Sequence, residues 1–292
     1  MINKNAGPRR SVLYMPGSNA RAQDKGRSLP ADALIMDLED AVAPTAKVEA
    51  RNLILETLEA GGYGHREIII RVNGLDTPWG YEDLLAAARS NADAVLLPKV
   101  ESADTVRRAE TILKAAGAPD SLAIWCMMET PRGILHAEEI ANASSRLEVL
   151  VMGTSDLAKD LHCAHTEMRL PMLYSLSTCI LAARAAGLAI LDGVHLDLSD
   201  DEGYRKSCQA GLEMGFDGKT LIHPKTIEVA NEVFAPSEVD VAWARKIIAA
   251  YNDAVSKGSA VLLVDGKLIE NLHVESAERV VKLVEAIEAL DV

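Results

Sequence analysis

Glu129 and Asp156 are the residues of this chain best suited to holding a hard cation. Each stands just beyond a short apolar run, Glu129 after AIWCMM and Asp156 in the GTSD that follows EVLVM, and neither belongs to a histidine or cysteine motif. Carboxylates with several coordination positions left open suit Mg²⁺, which keeps waters and accepts substrate oxygens. Zinc favours nitrogen and sulfur. The competing reading is a helix cap or a structural salt bridge, both common at strand ends. Arg71, in the RVN of IIIRVNG, carries a rigid fork that grips a carboxylate at two points. Its alternative is a salt bridge with Glu39 or Asp40, which end another apolar run in DLED. Arg9, Arg10, Arg21, Lys25 and Arg27 gather around the first apolar run and the loop Pro16-Gly17-Ser18-Asn19. In an acidic chain this is where phosphate would dock, against the plainer reading of a solvated charged face. His162 and His165, three apart, offer a lesser metal reading, since surface histidines on a helix usually bind none. Tyr14, Trp79 and Trp125 read as core or rim packing and not as a stacking platform.

Something must bring these side chains to one place. Short runs rich in branched residues alternate with amphipathic stretches, and the runs predict strands at Ser11–Met15, Ala33–Asp37, Glu67–Val72, Ala94–Leu97, Ala123–Met128, Val149–Met152, Ala189–Gly193 and Lys219–Ile222. Helices are expected between them, at Lys47–Ala60, Ala103–Ala116 and Pro171–Ala186 among others. Continuously apolar strands separated by helices imply a parallel sheet covered on both faces. Eight of them fit a closed (β/α)₈ (TIM) barrel of the α/β class better than an open sheet. No glycine-rich dinucleotide or P-loop fingerprint follows the first strand. In such a barrel the active site lies at the C-terminal ends of the strands, which is where Glu39, Asp40, Arg71, Glu129 and Asp156 occur.

The barrel is expected over residues 9–235 and a C-terminal extension over 236–292. In the extension, Ser237 with Asp240 resembles a capping box opening a helix to about Lys257. Ala260–Ile269 then reads as a short hairpin, a lid, around Asp265-Gly266, a dipeptide that favours a type I′ turn. A last helix is expected over Val274–Leu290.

Composition narrows the partners. A net charge of -13 opposes binding to nucleic acid or an anionic membrane. No apolar run reaches the roughly 18 residues of a membrane span. The N-terminal MINKNAGPRRS has no apolar core of a signal peptide. Cys126, Cys163, Cys179 and Cys208 form no CxxC pair and read as reduced thiols of a cytoplasmic protein.

The segments RRSVLYMPGSNARAQDKG, ADALIMDLEDAVAPTAKVEAR, IIIRVNG, AVLLPKVES, METPRGIL, VMGTSDLAKDL and FDGKTLIHPKTIEVANEVF, in this order from about Arg9 to Pro236, resemble the citrate lyase β-subunit-like proteins of the HpcH/HpaI aldolase superfamily. The resemblance implies a TIM barrel, a homotrimer or homohexamer, and Mg²⁺ held by Glu129 and Asp156. Arg71 becomes the clamp for a keto-acid carboxylate, and Arg10 and Lys25 face the CoA side. Glu39 and Asp40 line the mouth and order metal-bound water. In a C-terminal motif where many lyases of the family place an aspartate that reaches a neighbouring subunit's site, this chain has Glu270, one methylene longer. The activity so implied is a Mg²⁺-dependent C–C lyase that interconverts malyl-CoA or citramalyl-CoA with a 2-keto acid and an acyl-CoA, with Glu270 or Asp40 as base. The alternatives are a (3S)-malyl-CoA thioesterase on the same scaffold, a citrate lyase β subunit active only within a complex, and an aldolase of free hydroxy-keto acids.

Overall fold

A computed structural model describes residues 7–259 and 261–290. In chain order the elements are β1 (Ser11–Pro16), α1 (Ala20–Gly26), β2 (Ala33–Asp37), α2 (Lys47–Ala60), β3 (Glu67–Arg71), α3 (Gly80–Ala87), β4 (Ala94–Leu97), α4 (Ala103–Ala115), β5 (Ala123–Met128), α5 (Pro131–Leu135), α6 (Ala137–Ala141), β6 (Leu147–Met152), α7 (Thr154–Asp160), α8 (Leu173–Ala186), β7 (Ala189–Asp192), α9 (Asp201–Met214), β8 (Gly218–Leu221), α10 (Ile227–Val233), α11 (Glu238–Ser256), β9 (Leu262–Val264), β10 (Lys267–Ile269) and α12 (Asn271–Glu288). Strands β1 to β8 pair in sequence order, all parallel, and β8 closes on β1 through Val12 and Thr220. The chain forms two compact units, one through Glu232 and one from Val233.

The barrel follows from strands that are apolar on both faces. β2, β4 and β5 are buried at every position, because one side of the pleat meets the helices and the other the interior. Val12, Ile35, Ile69, Leu96, Trp125, Val151 and Leu191 fill the inside. The helices return their apolar stripes to the outside: α4 buries Ala103, Val106, Ala109 and Leu113, and Ser102 caps it by accepting from the Thr105 N–H. The helix expected from Pro171 begins at Leu173, since Pro171 lies in a preceding 3₁₀ turn, Leu170–Met172, where its missing N–H costs nothing.

The N-terminal end of the barrel is shut by Arg9. Its guanidinium donates to both Glu67 oxygens at 2.7 Å and to Glu148 at 3.0 Å, and lies 5.0 Å from the centre of the Trp125 ring. Arg10 is also spent here, its backbone and side-chain N–H groups bound to the Asp32 carboxylate at 2.7–2.9 Å. The expectation that Arg10 faces CoA is thereby corrected: it precedes β1, at the end of the barrel opposite the strand C-termini, and its charge is neutralised by a buried aspartate. Between strands and helices, Asp192 of β7 accepts from Lys219 of β8 at 2.6 Å and from Arg169 at 2.5 and 3.0 Å. All four cysteines are free thiols. No helix among the described residues is long and apolar enough to cross a membrane.

The C-terminal unit has its own core of Ala244, Ile247, Val264, Ile269, Val274 and Ala277. The Ser237 hydroxyl accepts from the Asp240 N–H at 3.1 Å and starts α11. Asp265 and Gly266 both take positive φ, 49° and 77°, the geometry a type I′ hairpin turn demands. Of the expected hairpin, Ala260 lies outside the described residues. The last helix begins at Asn271, three residues before the expected Val274, because Glu270 serves as its N-cap and donates its own N–H to His273 Nδ1 at 3.1 Å.

Candidate active site

The rule that fills the barrel also builds its mouth. Side chains alternate along a strand, so the position two beyond an inward core residue points inward again. Ile35 is followed by Asp37, Ile69 by Arg71, Met127 by Glu129 and Val151 by Gly153. Asp37, Arg71, Glu129 and Gly153 line one cavity of about 440 Å³, which Tyr14, Asp40, Met152 and Asp156 share. Asp156 reaches it from the first turn of α7.

Arg71 is anchored before any substrate arrives. Its Nε and Nη2 donate to the two Asp37 oxygens at 2.7 and 2.5 Å, Nη1 lies 3.0 Å from Glu39, and its guanidinium sits 4.9 Å from the centre of the Tyr14 ring. One edge of the fork is therefore taken, and only the remaining N–H groups are left for a ligand. Asp37 is itself fixed by the N–H groups of Glu39 and Ala41 at 2.8 and 3.2 Å.

Glu39 is clamped between Arg71 and the Lys99 ammonium, and one of its oxygens also accepts the Asp40 N–H at 3.1 Å. The resemblance has Glu39 order metal-bound water at the mouth, as part of the catalytic set; here both its oxygens are engaged by cations, and it braces Arg71 and Lys99. Asp40 lies at the rim with 59% of its side chain exposed, 3.7 Å from Lys99. Burial pushes its carboxyl up, but the hydrogen bond with Glu39 and the charges of Lys99 and Arg71 outweigh that and hold it below the usual carboxylate range.

Lys99 ends the β4 run in a left-handed conformation, φ 46°. A side chain held there stores strain that surrounding contacts must offset. The contacts are visible: the Lys99 N–H donates to Glu129 Oε1 at 2.8 Å, while its ammonium crosses to Glu39. Glu129 is 1% exposed, yet takes no ion pair among the described residues. Burial pushes its carboxyl up to about 7, against the Lys99 N–H and the Arg71 charge. Glu129 lies against Gly153 so closely that a Cβ there would come within 2.3 Å of its Oε2. Asp156 is half-buried and its Oδ1 accepts from Lys159 at 2.8 Å.

The donors fit Mg²⁺. A buried carboxylate without a cation partner faces the same cavity as a second carboxylate, and every donor is oxygen. Among the described residues no three His, Cys, Asp or Glu side chains are arranged to hold a metal ion, so an ion here would draw further ligands from water and substrate. Glu129 and Asp156 are the residues that would hold it.

The other sequence candidates fall elsewhere. Lys25 is exposed in the last turn of α1, outside the cavity wall. Arg27 turns to Asp24, the Gly61 carbonyl and the Tyr63 ring, so the basic cluster around β1 is largely consumed by internal partners. Glu270 belongs to the C-terminal unit. His162 and His165 are exposed. Three residues of the site, Asp37, Lys99 and Tyr14, are given no role in it by the sequence reading, which places Tyr14 in packing. Strand parity would have pointed Asp37 and Tyr14 inward, but nothing in the sequence marks the left-handed backbone of Lys99.

This site lies at the C-terminal mouth of a closed parallel barrel, where enzymes of the TIM-barrel class carry their active sites. The chain belongs to the HpcH/HpaI aldolase/citrate lyase family, which it matches over residues 10–224. It is 52% identical over 284 residues to a (3S)-malyl-CoA thioesterase of Cereibacter sphaeroides, covering 97% of both chains. It is 37% identical over 289 residues to the citrate lyase subunit beta of Leuconostoc mesenteroides subsp. cremoris, covering 97% of this chain and 95% of that one. Among solved structures it resembles protein CitE from Mycobacterium tuberculosis in complex with magnesium, acetoacetate and coenzyme A, with a TM-score of 0.76, 29% identity, and coverage of 98% and 100% of the two chains.

Proposed function

We propose that this protein is a Mg²⁺-dependent thioesterase that hydrolyses the CoA ester of a small hydroxy-dicarboxylic acid of the malyl-CoA type. The C–C lyase expected first gives way to the thioesterase alternative, because similarity to a malyl-CoA thioesterase, 52%, well exceeds that to a citrate lyase subunit, 37%. The observation that carries the reading is the cavity itself, where an anchored guanidinium faces the carboxylates of Glu129 and Asp156, with Asp40 at the rim.

Arg71 binds the acyl carboxylate through the N–H groups that Asp37 leaves free. Glu129 and Asp156 would hold Mg²⁺, which would supply Lewis-acid chemistry at the substrate oxygens. Asp40, ionised at neutral pH and open to solvent, accepts a proton from water as the water oxygen bonds to the thioester carbonyl carbon. The C–S bond breaks, its electron pair stays on sulfur, and the thiolate takes up the proton, leaving CoA thiol and the free hydroxy acid. Glu270 of a neighbouring copy, in a homotrimer or homohexamer, is the other base the family resemblance offers. Light scattering measures the assembly, and comparison of Asp40→Asn with Glu270→Gln separates the two bases.

The protein incubated with malyl-CoA is expected to release thiol and malate in equal amounts, and to stop when EDTA removes the metal. Acetyl-CoA with glyoxylate as the products would return the reading to the lyase.

A further inference from the structure

Tyr14 was read from sequence as packing, and its ring does pack, against Arg71. Its hydroxyl does not fit that role. Val12 and Tyr14 share the inward face of β1, so the phenol rises from the core into the floor of the cavity that Arg71, Glu129 and Asp156 also line. There the hydroxyl meets the Met127 sulfur at 3.3 Å. A thioether is a weak acceptor, so the half-buried hydroxyl keeps its donor available to an oxygen placed in the cavity. Met127 and Met152 give this part of the wall no better acceptor. Burial keeps the phenol protonated, so it presents a donor. The Arg71 guanidinium against its face fixes the ring, and the two groups offer adjacent N–H and O–H donors to whatever occupies the floor.

We propose that Tyr14 contacts substrate, its hydroxyl donating to an oxygen of the hydroxy-carboxylate end of the acyl group beside Arg71. The choice of acyl group rests on the thioesterase reading above. A site built to hydrogen-bond a substrate oxygen discriminates strongly against analogues that lack it. Tyr14 therefore makes the cavity selective for oxygenated acyl chains as well as binding them.

The test is Tyr14→Phe, which keeps the ring against Arg71 and removes only the oxygen. The variant should lose about 10- to 100-fold in kcat/KM on malyl-CoA, as a lost hydrogen bond to a charged or polar partner implies. Its activity on butyryl-CoA, which lacks both groups, should stay the same. A narrowed preference for malyl-CoA over succinyl-CoA assigns the contact to the hydroxyl. A narrowed preference over 3-hydroxybutyryl-CoA assigns it to the carboxylate. Calorimetry gives a second readout: free malate, with Mg²⁺ present, should bind the variant more weakly, while Mg²⁺ alone binds both proteins equally. Equal loss on all thioesters, a matching loss of Mg²⁺ affinity, or unchanged malate binding overturns the proposal. A wild-type protein that cleaves no thioester but binds malate through Tyr14 overturns only the thioesterase reading. One that binds no malate overturns this inference.

Discussion

Glu129 is an unusual carboxylate: enclosed, touched by one backbone N–H, and without an ion pair among the described residues. Its replacement by glutamine keeps shape and removes charge. Glu129→Gln should abolish calorimetrically measured Mg²⁺ binding and lower kcat/KM by roughly a thousandfold, the several kcal/mol that Lewis-acid catalysis supplies. Asp37 works one step back, holding Arg71 on two hydrogen bonds. Sequence made Arg71, Glu129 and Asp156 legible because each stands beyond an apolar run. The role that the resemblance gave Arg10 conflicts with its place before the first strand, at the end of the barrel away from the strand C-termini, and the contact with Asp32 shows its charge spent there. Glu39 and Asp40, adjacent in sequence, divide into a brace and a rim carboxylate because one is buried against two cations and the other is open to water.

At the scale of elements, the strands were readable wherever both faces are apolar, and their ends drifted by a residue or two where a charged or small residue continues the pairing. Glu148 in β6 is such a case: Leu147–Met152 starts before the expected Val149 because a charged side chain interrupts the apolar run but not the strand. The Asp265-Gly266 turn was readable because few other dipeptides accept two positive φ values. The end of β6 at Met152 was readable too, but not that Gly153 beyond it decides how close Glu129 can lie. Gly153→Ala would place a Cβ 2.3 Å from Glu129 Oε2 and 2.4 Å from its Cβ. Overpacking of this kind costs typically about 1–3 kcal/mol. The variant should fold, melt earlier in differential scanning calorimetry, and bind Mg²⁺ at least about tenfold more weakly, as displacing a ligand's support does elsewhere.

For the whole molecule, the ion cluster behind β7 and β8 sets an acid limit. Burial pushes the Asp192 carboxyl up, but Lys219 and Arg169 outweigh it and hold it below its ordinary value. A carboxyl depressed in the folded state stabilises the fold above its unfolded pKa of about 3.9, and that stabilisation is lost as the pH falls through the folded value. Asp192→Asn leaves two cations without their counter-charge, so at pH 7 it should cost about 3–5 kcal/mol in denaturant unfolding. The gap to wild type should narrow below pH ~4, as the aspartate itself becomes protonated.

The packed barrel interior, closed beneath by the Arg9 bridge across Glu67, Glu148 and Trp125, has a kinetic consequence. A barrel sealed at one end is a cul-de-sac, so whatever is made at its floor departs by the way it came in. For a thioester whose acid end sits deepest, the cofactor thiol stands in the doorway and leaves first, with the acid behind it. Product-inhibition patterns should show that sequence: malate competitive with the thioester, and CoA noncompetitive.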